Sequence, residues 1–319
     1  MSLSRKKIFS LEGRRVFVAG HNGMVGSALL RRLAKENCDI LTVDRKQLDL
    51  KNFKIVNNWF AKKKPEAIFF AAALVGGIYA NKTYPVDFLS DNLAIQNSVI
   101  TASFNNEVKK FMFLGSSCIY PRNAEQPLKE EALLTGELEK TNESYAIAKI
   151  AGLKLCQAYR KQYGVDYISV MPTNLYGPGD NYHPKNSHVA AALIAKFHEA
   201  IQLGRNRIIL WGTGKPLREF LHVDDLADGL VFAMKYYSEE QHINLGTGKE
   251  ISINDLANIL KDISGWSGKF KYDSSYPDGT PRKVMDVSKM KALGWEAKTD
   301  LKQGLKQTYD WYSKYGAHS

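Results

Sequence analysis

Two hydrophobic rhythms alternate along the first half of the chain. Short apolar runs, rich in β-branched and aromatic residues, read as buried strands: Arg15 to Gly20, Asp39 to Asp44, Ala67 to Ala73, Lys110 to Leu114 and Tyr167 to Met171. Between them the apolar residues recur three and four apart, which predicts helices over Ser27 to Glu36, Phe53 to Lys63, Asp87 to Phe104 and from near Tyr145 onward. Strands alternating with helices make βαβ units, so the predicted fold class is α/β, a doubly wound parallel sheet.

After Pro172 the pattern changes. A loop rich in Gly, Pro and Asn (Thr173 to Asn186) leads to a helix near Val189 to Leu203, a strand at Arg207 to Trp211 and a second loop carrying Gly212, Gly214 and Pro216. Helices are predicted near Asp224 to Tyr236, Ile253 to Ile263 and Leu301 to Tyr312, with a strand around His242 to Leu245 and a turn-rich segment over Asp278 to Lys283. No internal repeat or low-complexity tract interrupts this order. The division expected is a sheet domain over residues 14–175, to which later segments return, and a smaller α/β lobe formed mainly by 176–319. Met1 to Leu11 precede the first strand and read as an extension.

The first strand runs directly into Gly20-His-Asn-Gly23-Met-Val-Gly26 and then into a helix. Glycines there allow a tight turn and close approach of a ligand, and the helix N-terminus turns its free N–H groups toward a pyrophosphate, so the segment predicts a Rossmann-type dinucleotide site. The end of the second strand selects the dinucleotide: an acid accepts from a ribose 2′-hydroxyl and a base neutralises a 2′-phosphate. Asp44 and Arg45 supply both, and Asp44 equally suits a turn or cap, so the residues alone leave NAD and NADP open.

Tyr145-Ala-Ile-Ala-Lys149 sets a phenol and an ammonium one helical turn apart, an arrangement expected to favour the phenolate and proton exchange with a carbonyl oxygen near neutral pH. Gly115-Ser116-Ser117-Cys118 follows the fourth strand, where open α/β sheets hold their ligands, and a serine there can hydrogen-bond the same carbonyl.

Together with Ala71 to Gly77, Leu114 to Pro121, Met171 to Pro178, Asn186-Ser-His-Val189, Arg218 to Asp225 and Asp278-Gly-Thr-Pro-Arg-Lys283, these segments resemble the GDP-L-fucose synthases, extended short-chain dehydrogenase/reductases, over nearly the whole chain from about Arg14 to Tyr312. The resemblance implies conversion of GDP-4-keto-6-deoxy-D-mannose to GDP-L-fucose. Cys118 and His188 would be the base and acid that invert carbons 3 and 5. Tyr145 would protonate the oxygen at carbon 4 as hydride arrives, Ser116 would polarise it, and Lys149 would also hold the nicotinamide ribose. The cofactor site implied comprises Gly20, Asn22, Gly23, Met24, Val25, Gly26, Asp44, Arg45, Leu114, Gly115, Tyr145, Lys149, Pro172, Thr173, Asn174, Leu175 and His188. Lys196, Trp211, Arg218 and Asp278 would bind the nucleotide sugar. Family precedent makes NADP(H) the expected cofactor, while Asp44, and Asn22 in place of an arginine carried by some members, keep NAD(H) open. Lys196 likewise keeps the charge but not the fork of the arginine frequent at its position. A homodimer is expected from the same relatives.

Composition adds limits. The 319 residues are 44% hydrophobic, with no apolar run near the ~20 residues of a membrane span and no secretory signal, so a cytoplasmic protein with no membrane partner is expected. Three cysteines, Cys38, Cys118 and Cys156, lack metal-ligand spacing; no metal is expected, and a special cysteine would be special for its reactivity. The net charge of +11 suits a phosphorylated ligand, nucleic acid or an anionic surface alike. Its cations are scattered and no basic stripe interleaves with aromatics, which argues against nucleic acid. The competing readings are a carbon-4 reductase without epimerisation, acting on a related hexose or heptose, and a non-catalytic dinucleotide sensor. Against the sensor stands the intact Ser116, Tyr145 and Lys149 set.

Overall fold

The computed structural model describes residues 7–184, 186–276 and 278–316. The N-terminal half forms β1 (Arg15–Ala19), α1 (Met24–Leu33), β2 (Asp39–Leu41), α2 (Phe53–Lys63), β3 (Ala67–Phe70), α3 (Ile78–Thr83), α4 (Pro85–Asn105), β4 (Lys110–Leu114), α5 (Glu143–Tyr163) and β5 (Asp166–Pro172). There follow β6 (Asn174–Tyr176), α6 (Val189–Gln202), β7 (Arg207–Trp211), β8 (Leu217–His222), α7 (Val223–Tyr236) and β9 (Ile243–Leu245). The last stretch holds β10 (Glu250–Ser252), α8 (Ile253–Ser264), β11 (Lys269–Asp273), β12 (Arg282–Lys283), α9 (Ser288–Leu293) and α10 (Leu301–Trp311).

Six parallel strands form the main sheet in the order β2-β1-β3-β4-β5-β9. Because successive side chains point to opposite faces, each strand feeds two cores. Val16, Val18, Phe69, Met112 and Ile168 meet Leu29 and Leu33 of α1 and Leu226 and Leu230 of α7 on one face. Phe17, Phe70, Phe111 and Phe113 meet Phe60, Val99 and Leu153 on the other. The segments α7, β9 and α9 return to this body from beyond residue 176. A third core, around Ile194, Phe197, Leu210, Leu256 and Leu260, lies under α6, α8 and α10 beside the small sheets of β8 and β7.

Several elements differ from the expectation. Helix α1 begins at Met24, directly after Gly23, because Met24 and Val25 pack against the sheet although no side chain caps the helix. Strand β2 stops at Leu41, since it is an edge strand paired only with β1. β6 lies within the stretch read as loop and pairs with β8, which hydrophobic pattern alone also missed; so were β10, β11, β12, α3 and α9. The N-terminal segment is more than an appendage: Leu11 is fully buried, and the amides of Ile8 and Phe9 donate to the Lys235 carbonyl. Met1 to Lys6 of that segment lie outside the described residues. No helix among the described residues is long and apolar enough to cross a membrane.

Candidate active site

The chain passes from β1 outward to β2, then returns to the other side of β1 as β3, and this reversal opens a crevice at the carboxyl ends of the strands. A cleft of about 580 Å³ occupies it. Gly20 has φ +88°, and a Cβ there would lie 2.9 Å from the Ala72 backbone; at Gly26 it would lie 2.1 Å from the Gly20 carbonyl oxygen. Only glycine fits the turn at both places. With no side chain capping α1, its first N–H groups remain free beside the cleft, which is what a pyrophosphate requires.

The cleft is bordered by the whole predicted turn from Gly20 to Gly26, by Arg45, Leu114, Gly115, Ser116, Tyr145 and Lys149, by Pro172 through Leu175, and by His188. Asp44 is the exception: it does not line the cleft. Its carboxylate accepts from the Asn22 amide at 2.8 Å and stands 3.6 Å from His21. Sequence reading missed Leu48 to Lys51, Ala71 to Ala73 and Ile95, which also border it. The three alanines carry a signal, since small side chains at a strand end leave room for a ligand.

Ser116 caps a single 3₁₀ turn, Ser117–Ile119, and its Oγ accepts the Cys118 amide at 3.4 Å. Lys149 is buried on α5, donates from Nζ to the Leu114 carbonyl at 2.8 Å and lies 5.7 Å from the centre of the Tyr145 ring. Burial pulls its pKa down to about 8. The expected phenolate does not arise. Burial, with the Cys118 charge adding to it, pushes the Tyr145 phenol well above its ordinary value. The phenol thus stays protonated, the form that donates to a carbonyl oxygen.

Cys118 is buried, and its thiol is pushed up by that burial, against the opposing pull of Lys283, the Ser116 hydrogen bond and Lys149. His188 is the N-cap residue of α6 and opens to the cleft, where close protein packing and the Lys283 charge lower its pKa. Lys283 is the charged neighbour of both and was overlooked as a site residue, although its Asp-Gly-Thr-Pro-Arg-Lys segment had been singled out.

None of the four residues expected to bind the nucleotide sugar lines the dinucleotide cleft; they gather in the smaller lobe. The Lys196 ammonium sits 4.9 Å from the centre of the Trp211 ring and donates to the Ile209 carbonyl. Trp211 stacks on Tyr276 at 4.1 Å with the planes 1° apart, an aromatic partner that sequence reading did not name. Arg218 donates to the Asp278 carbonyl at 3.2 Å, while both Asp278 carboxylate oxygens accept from Thr213, one from its amide and one from its hydroxyl. Asp278 therefore ties down the loop after Trp211. Among the described residues no cluster of His, Cys, Asp or Glu has the makings of a metal site.

Residues 16–246 match the family model described as the NAD dependent epimerase/dehydratase family. The chain is 55% identical over 301 residues to a protein of Arabidopsis thaliana named GDP-L-fucose synthase 1, covering 94% of this chain and 93% of that one. A GDP-L-fucose synthetase from Naegleria fowleri solved with NADP bound superposes with a TM-score of 0.90 at 29% identity, over 99% of each chain. A GDP-6-OMe-4-keto-L-xylo-heptose reductase from C. jejuni superposes with a TM-score of 0.89 at 38% identity, over 95% of this chain and 98% of that one.

Proposed function

The chain belongs to the NAD dependent epimerase/dehydratase family and, within it, to the GDP-L-fucose synthases, and from that premise we propose how its residues convert GDP-4-keto-6-deoxy-D-mannose to GDP-L-fucose. The observation that carries the reading is the nearness of two sets of groups: Ser116, Tyr145 and Lys149, suited to carbonyl reduction, line the cleft with His188, while Cys118, which with His188 suits the movement of protons on carbon, lines a small cavity that shares Ser117 with the cleft. A reductase needs only the first set. Carbons 3 and 5 flank the keto group, so a proton leaving either one is stabilised as an enediolate. Cys118 takes that proton and His188 returns one to the opposite face, which inverts the centre. NADPH, when bound, supplies the hydride that reaches carbon 4. Tyr145 gives its proton to the oxygen there, Ser116 hydrogen-bonds the same oxygen, and Lys149 holds the ribose. Lys196, Trp211 and Arg218 take the GDP moiety, the cations on the diphosphate and the ring against the base.

The cofactor is NADP(H). Asp44 does not oppose it strongly, because its carboxylate is engaged by Asn22 and lies off the cleft wall, whereas Arg45 lines the cleft. A charge-assisted hydrogen bond to a 2′-phosphate contributes about 1.5–3 kcal/mol. Arg45→Ala should therefore raise the KM for NADPH at least about tenfold and leave that for NADH nearly unchanged; equal losses for both would remove Arg45 from phosphate recognition.

The direct test of the reaction is incubation of the pure protein with GDP-4-keto-6-deoxy-D-mannose and NADPH, with NMR of the product. GDP-L-fucose is expected. A GDP-sugar reduced at carbon 4 but not inverted would instead make the protein a reductase of the heptose-reductase kind. We place the protein in the cytoplasm as a homodimer. Exposed apolar residues on the packed pair α4 and α5, Val86, Ile147 and Tyr163, support association through those helices, and the same preparation should show twice the chain mass by light scattering.

A further inference from the structure

β12 is two residues long, and its parallel register with β8 sets Lys283 beside Arg218. Strand alternation separates its two cations. Both border a small cavity of about 20 Å³ with Ser117, Cys118, Glu139 and Asn142, but the Arg282 guanidinium is paired with Glu250, at 2.8 Å. Lys283 is half-buried there, and its ammonium has no hydrogen bond or ion pair among the described residues. Asn142 Oδ1, on the same wall, is buried without a partner.

The neighbouring charges are already committed. Glu219 is fully buried and accepts the backbone N–H groups of Thr247, Gly248 and Met285. Glu139 faces Arg122 at 3.3 Å, and Lys149, the second lysine near Cys118, is held by the Leu114 carbonyl. Arg218 donates to the carbonyls of Leu217 and Asp278. Lys283 is thus the cation beside Cys118 whose charge nothing else claims. Cys118 and His188 both lie within its electrostatic reach.

We propose that Lys283 is a positioning residue for epimerisation: its ammonium, on the wall it shares with Cys118, offsets part of the cost of ionising that buried thiol, so that the thiolate is reached more readily near neutral pH. The inference rests on Cys118 and His188 being the base and acid. A cation favours the anion that forms next to it. No bond is made or broken at Lys283. Burial brings its own pKa down to about 8, so the ammonium is present below that pH and lost above it, and its influence fades as pH rises through that value.

The test follows the ionisation of Cys118 directly. Iodoacetamide alkylation of Cys118, measured by peptide mass across the neutral and alkaline range, reports the thiolate fraction. In Lys283→Met alkylation near neutral pH, where the ammonium is present, should slow about tenfold, and Lys283→Arg should restore most of it. Deuterium exchange at carbons 3 and 5 should fall by a similar factor, with NADPH binding by fluorescence unchanged. An unchanged alkylation rate near neutral pH in both Lys283→Met and Lys283→Gln overturns the proposal, and so does a higher KM for the GDP-sugar with that rate unchanged, which would make Lys283 a substrate ligand. Failure of the underlying reading shows elsewhere: Cys118→Ser that still exchanges deuterium removes the base and leaves the alkylation result intact.

Discussion

Cys118→Ser should lose solvent deuterium incorporation at carbons 3 and 5 by about 10²–10⁴-fold, the range a positioned acid or base contributes. The two side chains have nearly the same shape, so the loss isolates acidity: a thiol reaches its anion within a few pH units of neutrality and a serine hydroxyl does not. In the resting protein burial pushes the Cys118 thiol up, and the groups that oppose this are Lys283, Ser116 and Lys149. Those neighbours offset part of the cost that burial puts on the thiolate. Exchange monitored by NMR in deuterated buffer, without NADPH, separates this step from reduction. If exchange continued at the wild-type rate, Cys118 would have no part in the inversion.

The second large effect concerns Tyr145. Tyr145→Phe keeps the ring, and with it the edge contact to Phe88 at 6.2 Å, but removes the only proton the phenol could give. Oxidation of NADPH should slow about 10²–10⁴-fold while deuterium exchange at carbons 3 and 5 persists. Unchanged turnover would assign the proton to another group. The reduction also carries a pH signature. Because burial lowers the Lys149 pKa from 10.5 to about 8, its ammonium is present below that pH and lost above it. NADPH oxidation should accordingly decline as pH rises through about 8, and Lys149→Met, already slow, should lack that decline. Opposite responses of exchange and hydride transfer in the Cys118 and Tyr145 variants would show two separable proton paths.

Much of this protein is decided by neighbours in sequence. Apolar runs followed by amphipathic stretches specify β1 through β5 and the helices α1, α2, α4 and α5, because both periodicities are local and the buried faces follow from them. The Gly20 to Gly26 turn and the Tyr145 and Lys149 pair are equally local: a turn needs its glycines at fixed offsets, and residues four apart share a helix face. The resemblance to the GDP-L-fucose synthases added the roles, which no spacing could supply.

The tertiary structure decided what depends on distant partners and on solvent. β6 and β8 exist because they pair with each other across some 40 residues, and short strands of that kind carry little periodic signal. Trp211 meets Tyr276, and Lys283 comes to border the same cavity as Cys118, only when separate elements pack together. Protonation was the least legible property. Spacing put an ammonium beside the Tyr145 phenol and suggested a phenolate, but burial of the same phenol outweighs that attraction and keeps it protonated. Sequence fixes which charges are near one another along a helix, whereas the cost of removing them from water is set by everything that folds over them.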